Sequence, residues 1–305
     1  MIGRTRPVNV LDLVGKTPLL SFNTLTRDLP PGVELYAKAE WYNPGGSVKD
    51  RPALNMILEA ERAGQLTPHK IILDATSGNT GIALAMIGAA RGYRVRLCLP
   101  ANASDERKRL LLAYGAELVL TSPLELTDGA QREARRLYEE EPELYFYCDQ
   151  YGNENNWKSH YHTTAVEIWE QTEGRITHWV SGLGTTGTFV GTTRRLRELN
   201  PRIRCISFQP DSPLNELEGL KHLDTALVPR IYDPTVADED RAADSDEAVE
   251  WCLRLAREEG VLVGPSSGAA MAVAMEVARE LRDGVVVTLF PDGASKYLGR
   301  PYWTE

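Results

Sequence analysis

Short apolar runs rich in β-branched residues recur along the chain at residues 19–22, 33–41, 71–75, 95–99, 117–120, 145–148, 179–181, 203–208 and 285–290. Their length and the turn residues that flank them predict strands. Between most of them the apolar positions repeat at helical period, over 53–63, 80–91, 105–114, 125–141, 157–170, 188–199, 246–259 and 269–281. Strands alternating with helices imply mainly parallel sheets covered on both faces, an α/β architecture. Ligands of such sheets gather at the carboxyl ends of the strands. Residues 209–243 break the rhythm with four prolines and the acidic run Asp238-Glu239-Asp240. This segment reads either as a long surface connection or as a binding flap.

Composition narrows the class. With 305 residues, 42% apolar and 25% charged, the chain is long enough for about two domains with substantial cores. A net charge of −9 argues against nucleic acid as a partner, because phosphate backbones call for a basic surface. No apolar run reaches the roughly 18 residues of a membrane span, and the first residues lack a charged segment leading into an apolar one. The expected location is the cytoplasm. Cys98, Cys148, Cys205 and Cys252 are widely spaced and form no CxxC pair, so core thiols are expected rather than a disulfide or a metal site.

The chemistry gathers in four turns. Asn43-Pro44-Gly45-Gly46 breaks the strand at 33–41, Ser47 is a suitable helix N-cap, and Lys49 then falls in a first helical turn. That end of a helix dipole disfavours positive charge, so the lysine is more easily deprotonated there, and a neutral amine is what imine chemistry requires. A surface lysine on an amphipathic helix is the competing reading. Strand 71–75 runs into Thr76-Ser77-Gly78-Asn79-Thr80-Gly81 and a helix, which aims backbone N–H groups and hydroxyls at one point. Such a turn suits an anion the size of an amino-acid carboxylate, although Thr76 or Ser77 could simply cap the helix.

A second glycine loop, Ser181-Gly182-Leu183-Gly184-Thr185-Thr186-Gly187-Thr188, also follows a strand and opens a helix. It fits G-x-G-x-x-G, yet no carboxylate stands at the end of the next strand, which closes on Phe208-Gln209. The loop therefore suits a phosphate monoester better than a dinucleotide. Gly264-Pro265-Ser266-Ser267-Gly268 opens a further helix; either serine can cap it, and the other is then free for a ligand. A lysine for an imine, a carboxylate site, a phosphate cup and a spare hydroxyl together describe pyridoxal 5′-phosphate with an amino-acid substrate.

These motifs, in this order, resemble the fold type II pyridoxal-phosphate enzymes, more narrowly the cysteine synthase and cystathionine β-synthase family. The resemblance runs from Gly15-Lys16-Thr17-Pro18-Leu19 to Pro291-Asp292-Gly293. It implies two doubly wound α/β domains, tryptophan synthase β-like, with the cofactor in the cleft between them. By resemblance Lys49 carries the cofactor as its aldimine, and Asn79 contacts the 3′-oxygen. Gly184, Thr185, Thr186, Gly187 and Thr188 bind the phosphate, and Ser266 faces the pyridine nitrogen. Thr76, Ser77, Gly78 and Thr80, with Gln150, correspond to the substrate carboxylate site. The implied reaction is a β-replacement through an aminoacrylate, forming L-cysteine from O-phosphoserine or O-acetylserine and a sulfur donor. A neutral serine hydroxyl at the ring nitrogen makes a weaker electron sink than a carboxylate would, which directs charge toward expelling the β-group.

Two departures, the loop sequence Gly-Thr-Thr-Gly-Thr and Tyr-Gly-Asn-Glu-Asn after Gln150, resemble the cysteine synthase B branch, including members that use phosphoserine. Lys221 in Gly219-Leu220-Lys221-His222 lies where those members carry a basic residue for the substrate phosphate; a solvated loop lysine is its competing reading. His160 and His162 fall on different sides of a helix and make poor joint metal ligands. The expected domains are a smaller mobile one, 42–151, and a larger one from 1–41 plus 152–305. The resemblance also implies a homodimer, with sulfide, thiosulfate or a thiocarboxylated carrier protein as sulfur source. A serine/threonine dehydratase, cystathionine β-synthase-like activity, and a non-catalytic regulator that binds ligand on the same fold remain as alternatives.

Overall fold

The computed structural model describes residues 7–304 except Ser77. Ten strands, β1 (Leu19–Ser21), β2 (Gly32–Ala39), β3 (Ile71–Ala75), β4 (Val95–Pro100), β5 (Glu117–Thr121), β6 (Tyr145–Tyr147), β7 (His178–Gly182), β8 (Arg204–Pro210), β9 (Glu239–Ala243) and β10 (Asp283–Phe290), form two sheets among the described residues. The larger has the order β1-β2-β10-β7-β8-β9, with only β1 antiparallel. The smaller, β5-β4-β3-β6, is wholly parallel.

Parallel strands need crossovers, and helices supply them: α1 (Asp50–Arg62), α2 (Asn79–Arg91), α3 (Asp105–Ala113), α4 (Leu126–Glu140), α5 (Glu154–His162), α6 (Thr164–Gln171), α7 (Gly187–Leu199), α8 (Ser245–Glu259) and α9 (Pro265–Glu280). Each sheet is covered on both faces, so its central strands are buried throughout, as in β3, where all five residues, Asp74 included, are buried. In β10, Val286 and Phe290 join the core under α8 and α9. The alternate residues Val285, Val287 and Leu289 join the core under α6 and α7. In the small sheet, Ile72 packs with α1 and α2, whereas Ile71 and Leu73 face Ala130 and Ala134 of α4. All four cysteines are free and buried, as expected. No helix among the described residues is long and apolar enough to cross a membrane.

The structure departs from the sequence pattern in two places. Residues 157–170 do not form one helix: α5 starts earlier, where the Asn153 side chain caps it, and the chain breaks at Thr163 (φ −122°, ψ −70°) before α6. The Thr163 hydroxyl accepts a hydrogen bond from Arg51 Nη1 at 3.1 Å, and this contact holds the break. Within 209–243, Glu239 and Asp240 of the acidic run belong to β9, an edge strand paired in parallel with β8, and Asp238 stands just before it. Its charges face out or pair with neighbours such as Arg241, which is how sheet edges are kept from further pairing.

Candidate active site

A cleft of about 500 Å³ opens at the carboxyl ends of β3, β7, β8 and β10, between the two sheets. Of the residues singled out in the sequence, Lys49, Thr76, Gly78, Asn79, Thr80, Gln150, Gly184, Thr185, Thr186, Thr188, Lys221 and Ser266 all line it. Ser77 lies outside the described residues. Gly187 stands just behind the wall, against Asn156, whose side-chain oxygen a Cβ would strike.

Lys49 occupies the N-cap position of α1, in helical backbone conformation. Ser47 does not cap the helix; its hydroxyl accepts from Lys49 N at 3.2 Å and shapes the turn instead. Among the described residues the Lys49 amine has no hydrogen-bond or ion-pair partner. Burial draws its pKa down from 10.5 to about 8, opposed by the Asp292 carboxylate and assisted by the Lys296 ammonium. Desolvation, more than the helix end, thus prepares the neutral amine.

At the end of β3, the Thr76 hydroxyl accepts from Gly78 N and Gly81 N, both at 3.2 Å. Thr76 therefore does cap the first turn of α2, and its O–H proton remains to be donated. The Thr80 hydroxyl donates to Gln150 Oε1 at 2.7 Å, while Gln150 Nε2 donates to Ala75 O at 2.9 Å. These bonds fix the wall of the cleft on the small-sheet side.

The second glycine loop connects β7 to α7. Thr186 is held at φ +70°, a conformation disfavoured for a threonine, and its buried hydroxyl has no partner. The first N–H groups of α7 have no acceptor within the helix. A strained residue, an orphaned hydroxyl and unpaired amides facing one cup mark a site built for an anion. Behind it, His160 Nε2 lies 3.3 Å from Thr188 Oγ1, and its Nδ1 lies 2.9 Å from Thr164 Oγ1. Burial pushes the His160 pKa to about 3, so the ring stays neutral. Asn156 Nδ2 donates to Gln150 O at 2.7 Å and to Thr185 Oγ1 at 3.2 Å, tying the anion cup to the Gln150 wall.

Helix α9 starts at Pro265 with no side-chain cap, so neither serine plays the capping part left open for it. Ser267 Oγ donates to Asp292 O at 3.2 Å. Ser266 Oγ has no protein partner among the described residues and lines the cleft.

Lys221 is not a solvated loop lysine. Its side chain is 12% exposed, its ammonium lies 3.8 Å from Asp128 Oδ1, and it sits 4.9 Å above the Tyr151 ring. Burial lowers its pKa, with Asp128 acting against that. The segment around it is a wall of the cleft, which favours the flap over the plain connection. There Glu218 pairs with Arg107 of α3, a contact between a chain segment beside the large sheet and a helix of the small one.

No local motif in the sequence marks Asn156, Arg107, Glu218 or Lys296, and Asp292 stands there only as part of Pro291-Asp292-Gly293. Asp292 is separated from the carboxyl end of β10 by Pro291 alone, so the rule placing ligands at carboxyl strand ends points to it. Arg107 and Lys296 come from a helix start and a short 3₁₀ turn (Ala294–Lys296) with no local motif.

Comparison with known proteins agrees with this geometry. The family model described as "Pyridoxal-phosphate dependent enzyme" matches residues 10–292. A cysteine synthase of Aquifex aeolicus (strain VF5) is 51% identical over 294 residues, covering 95% of this chain and 90% of that protein. Cysteine synthase B of Pseudomonas aeruginosa is 43% identical, covering 95% of each. The crystal structure of a cysteine synthase from Entamoeba histolytica superposes with a TM-score of 0.94 at 32% identity, over all of this chain and 93% of the other. The chain belongs to the pyridoxal-phosphate-dependent enzymes, within their cysteine synthase family.

Proposed function

We propose that the chain forms L-cysteine by β-replacement on an activated serine, with O-phosphoserine as the favoured donor over O-acetylserine, and that the residues lining the cleft divide the work as their chemistry suggests. The observation that carries the reading is the convergence of one half-buried, unpartnered lysine amine and one strained, orphaned threonine cup on a single cleft. The residues present fit pyridoxal phosphate: Lys49 would link it, Gly184 to Thr188 would hold its phosphate, and Ser266 would meet its ring nitrogen. When bound, the cofactor supplies an electron sink that makes the substrate Cα proton acidic and lets the β-substituent leave.

Lys49 Nζ takes the Cα proton. A pKa of about 8 instead of 10.5 raises the neutral fraction at pH 7 by roughly two orders of magnitude, which suits a general base working near neutrality. Thr76, Gly78 and Thr80, with Gln150, receive the substrate carboxylate; the existing bond from Thr80 to Gln150 would have to open or be shared. Drawing that loop inward would move the small unit, 42–151, toward the larger one and exclude water from the cleft. The same reading takes the chain as a homodimer fed with sulfide, thiosulfate or a carrier-bound thiocarboxylate.

Lys221 supports the phosphoserine donor, since a half-desolvated ammonium in the wall offers a charge-assisted bond to a phosphate. Losing such a bond costs about 1.5–3 kcal/mol. Lys221→Ala should therefore lower kcat/KM for O-phosphoserine by roughly 10- to 100-fold and leave O-acetylserine within about threefold. Steady-state kinetics on both donors decides it: an unchanged ratio removes Lys221 from donor selection. At Gly184, a Cβ would overlap the Gly219 carbonyl oxygen, and overpacking of this kind costs about 1–3 kcal/mol. Gly184→Ala should weaken cofactor retention by roughly 10- to 100-fold, read as the concentration that restores the visible band after dialysis.

The test of the reading as a whole is the absorption spectrum of the cofactor-loaded protein mixed with O-phosphoserine or O-acetylserine before any sulfur source is added. A rapid change with phosphoserine alone supports the favoured donor. Change with acetylserine alone reverses the donor and makes Lys221 irrelevant to it. Release of pyruvate without cysteine formation would instead indicate a dehydratase.

A further inference from the structure

Asn79 is a polar side chain of the cleft held on both of its ends. Its Nδ2 donates to Asp292 Oδ2 at 2.8 Å, and its Oδ1 accepts from the Lys296 ammonium. Lys296 does not line the cleft itself. It reaches Asn79 from the 3₁₀ turn after β10 and donates as well to Gly46 O at 3.3 Å, in the turn that precedes Lys49. Asp292 is fixed in turn by the Tyr297 hydroxyl, which donates to the same Oδ2 at 2.8 Å.

A primary amide can sit in either of two orientations that exchange its oxygen and nitrogen, and they fill the same space. Here the two are not equivalent. An ammonium only donates and a carboxylate only accepts. The flipped amide would press N–H against the Lys296 cation and oxygen against the Asp292 anion, losing two charge-assisted bonds at once. The Lys296 side chain is only 13% exposed, so water does little to screen this preference. The other charged groups facing Lys296 are Lys49, Asp50 and Arg107. Burial lowers its pKa, while Asp292 and Asp50 support its charge and Arg107 opposes it.

We propose that Lys296 is a positioning residue whose ammonium, acting with Asp292, locks the Asn79 amide so that the second N–H of Nδ2, and never Oδ1, is presented to the cofactor's ring oxygen. The inference rests on the reading of this cleft as the cofactor site. The ring oxygen is then always met by a donor, which favours its anionic, long-wavelength tautomer.

The experiment compares the visible-to-near-ultraviolet band ratio and the cofactor dissociation constant in the wild-type holoenzyme, Lys296→Met, Lys296→Arg, Asn79→Ala and the Lys296→Met/Asn79→Ala pair. Lys296→Met should shift the ratio toward the short-wavelength form and weaken cofactor binding about tenfold, the scale of a charged hydrogen bond. Lys296→Arg should restore most of both. In band ratio the double variant should match Asn79→Ala, because Lys296 acts on the ring oxygen only through the Asn79 amide. If Lys296→Met does not fold, the isosteric Asp292→Asn tests the other half of the lock and should shift the ratio in the same direction. A wild-type ratio in whichever of these two variants folds, beside a shifted ratio in Asn79→Ala, overturns the proposal and leaves the cofactor reading intact. A wild-type protein that forms no band at all would overturn the cofactor reading instead.

Discussion

Lys49→Ala should fold normally and lose at least about 10⁴-fold in kcat for cysteine formation, because the substitution removes both the covalent anchor and the general base. The stability expectation is direct: among the described residues the Lys49 amine has no hydrogen-bond partner to lose, and taking away an amine that burial partly desolvates relieves a cost. Cysteine assays and the visible spectrum together check the prediction, and wild-type turnover in the variant would sink the assignment. The pH behaviour of the unmodified enzyme gives a second readout. The neutral amine is the reactive form, and its pKa is about 8. The rate at which cofactor-stripped protein regains its visible band should rise with pH and level off above about 8. A rise continuing toward 10.5 would mean that burial is not depressing the lysine.

Much of this site was legible because its chemistry is carried by short turns that open helices. A glycine-rich turn after a buried strand restricts what can follow, so the loops at Thr76 and Gly184 could be placed from the sequence, and with them the carboxyl edge of each sheet. What the turns did in detail was less legible. Ser47 looked like a cap and is not one, since the helix begins two residues later than a capping serine requires. Ser266 and Ser267 looked interchangeable until Ser267 was found bonded to Asp292 O and Ser266 facing the cleft. The strand β9 left no hydrophobic pattern because an edge strand has one ladder unpaired and carries charge there. Asn156, Arg107, Glu218 and Lys296 were hidden for a different reason. None sits in one of the four motif-bearing turns, and the contacts of Arg107 with Glu218 and of Lys296 with Asn79 join residues far apart in sequence that only the fold brings together.

The polar core beneath α1 shows the same limit, and it carries a large expected effect. Arg51, two residues after Lys49, is buried, with Nε 2.7 Å from Glu40 Oε2 and Nη2 2.8 Å from Glu40 Oε1. Its Nη1 lies 2.7 Å from Glu167 Oε1 of α6, and Lys38 Nζ lies 2.7 Å from Glu167 Oε2. The Thr17 hydroxyl donates to Glu40 Oε1 at 2.6 Å. Two cations thus meet two anions, and the helix start bearing Lys49 is fastened to the end of β2 and to α6. Burial by itself would raise the Glu40 pKa, but Arg51 and Thr17 bring it below its ordinary range. Against the same burial, Arg51 and Lys38 take Glu167 to about 2.

Arg51→Met should cost about 3–5 kcal/mol of unfolding free energy, since it leaves Glu40 buried without its counter-charge. The pH dependence follows from the signs. In the wild type both carboxylates have depressed folded pKa values, so their contribution is complete above the unfolded pKa and fades as pH falls toward 2. In the variant, Glu40 loses the cation that held its pKa down, and burial raises it above the unfolded value. Protonation then relieves the uncompensated charge, and the stability deficit should shrink between pH 8 and pH 5. Glu40→Gln in the Arg51→Met background should recover part of the loss at pH 8. Denaturant unfolding of the three proteins at both pH values measures all of this, and a deficit that is unchanged or larger at pH 5 would show that the network is not holding a buried charge in place.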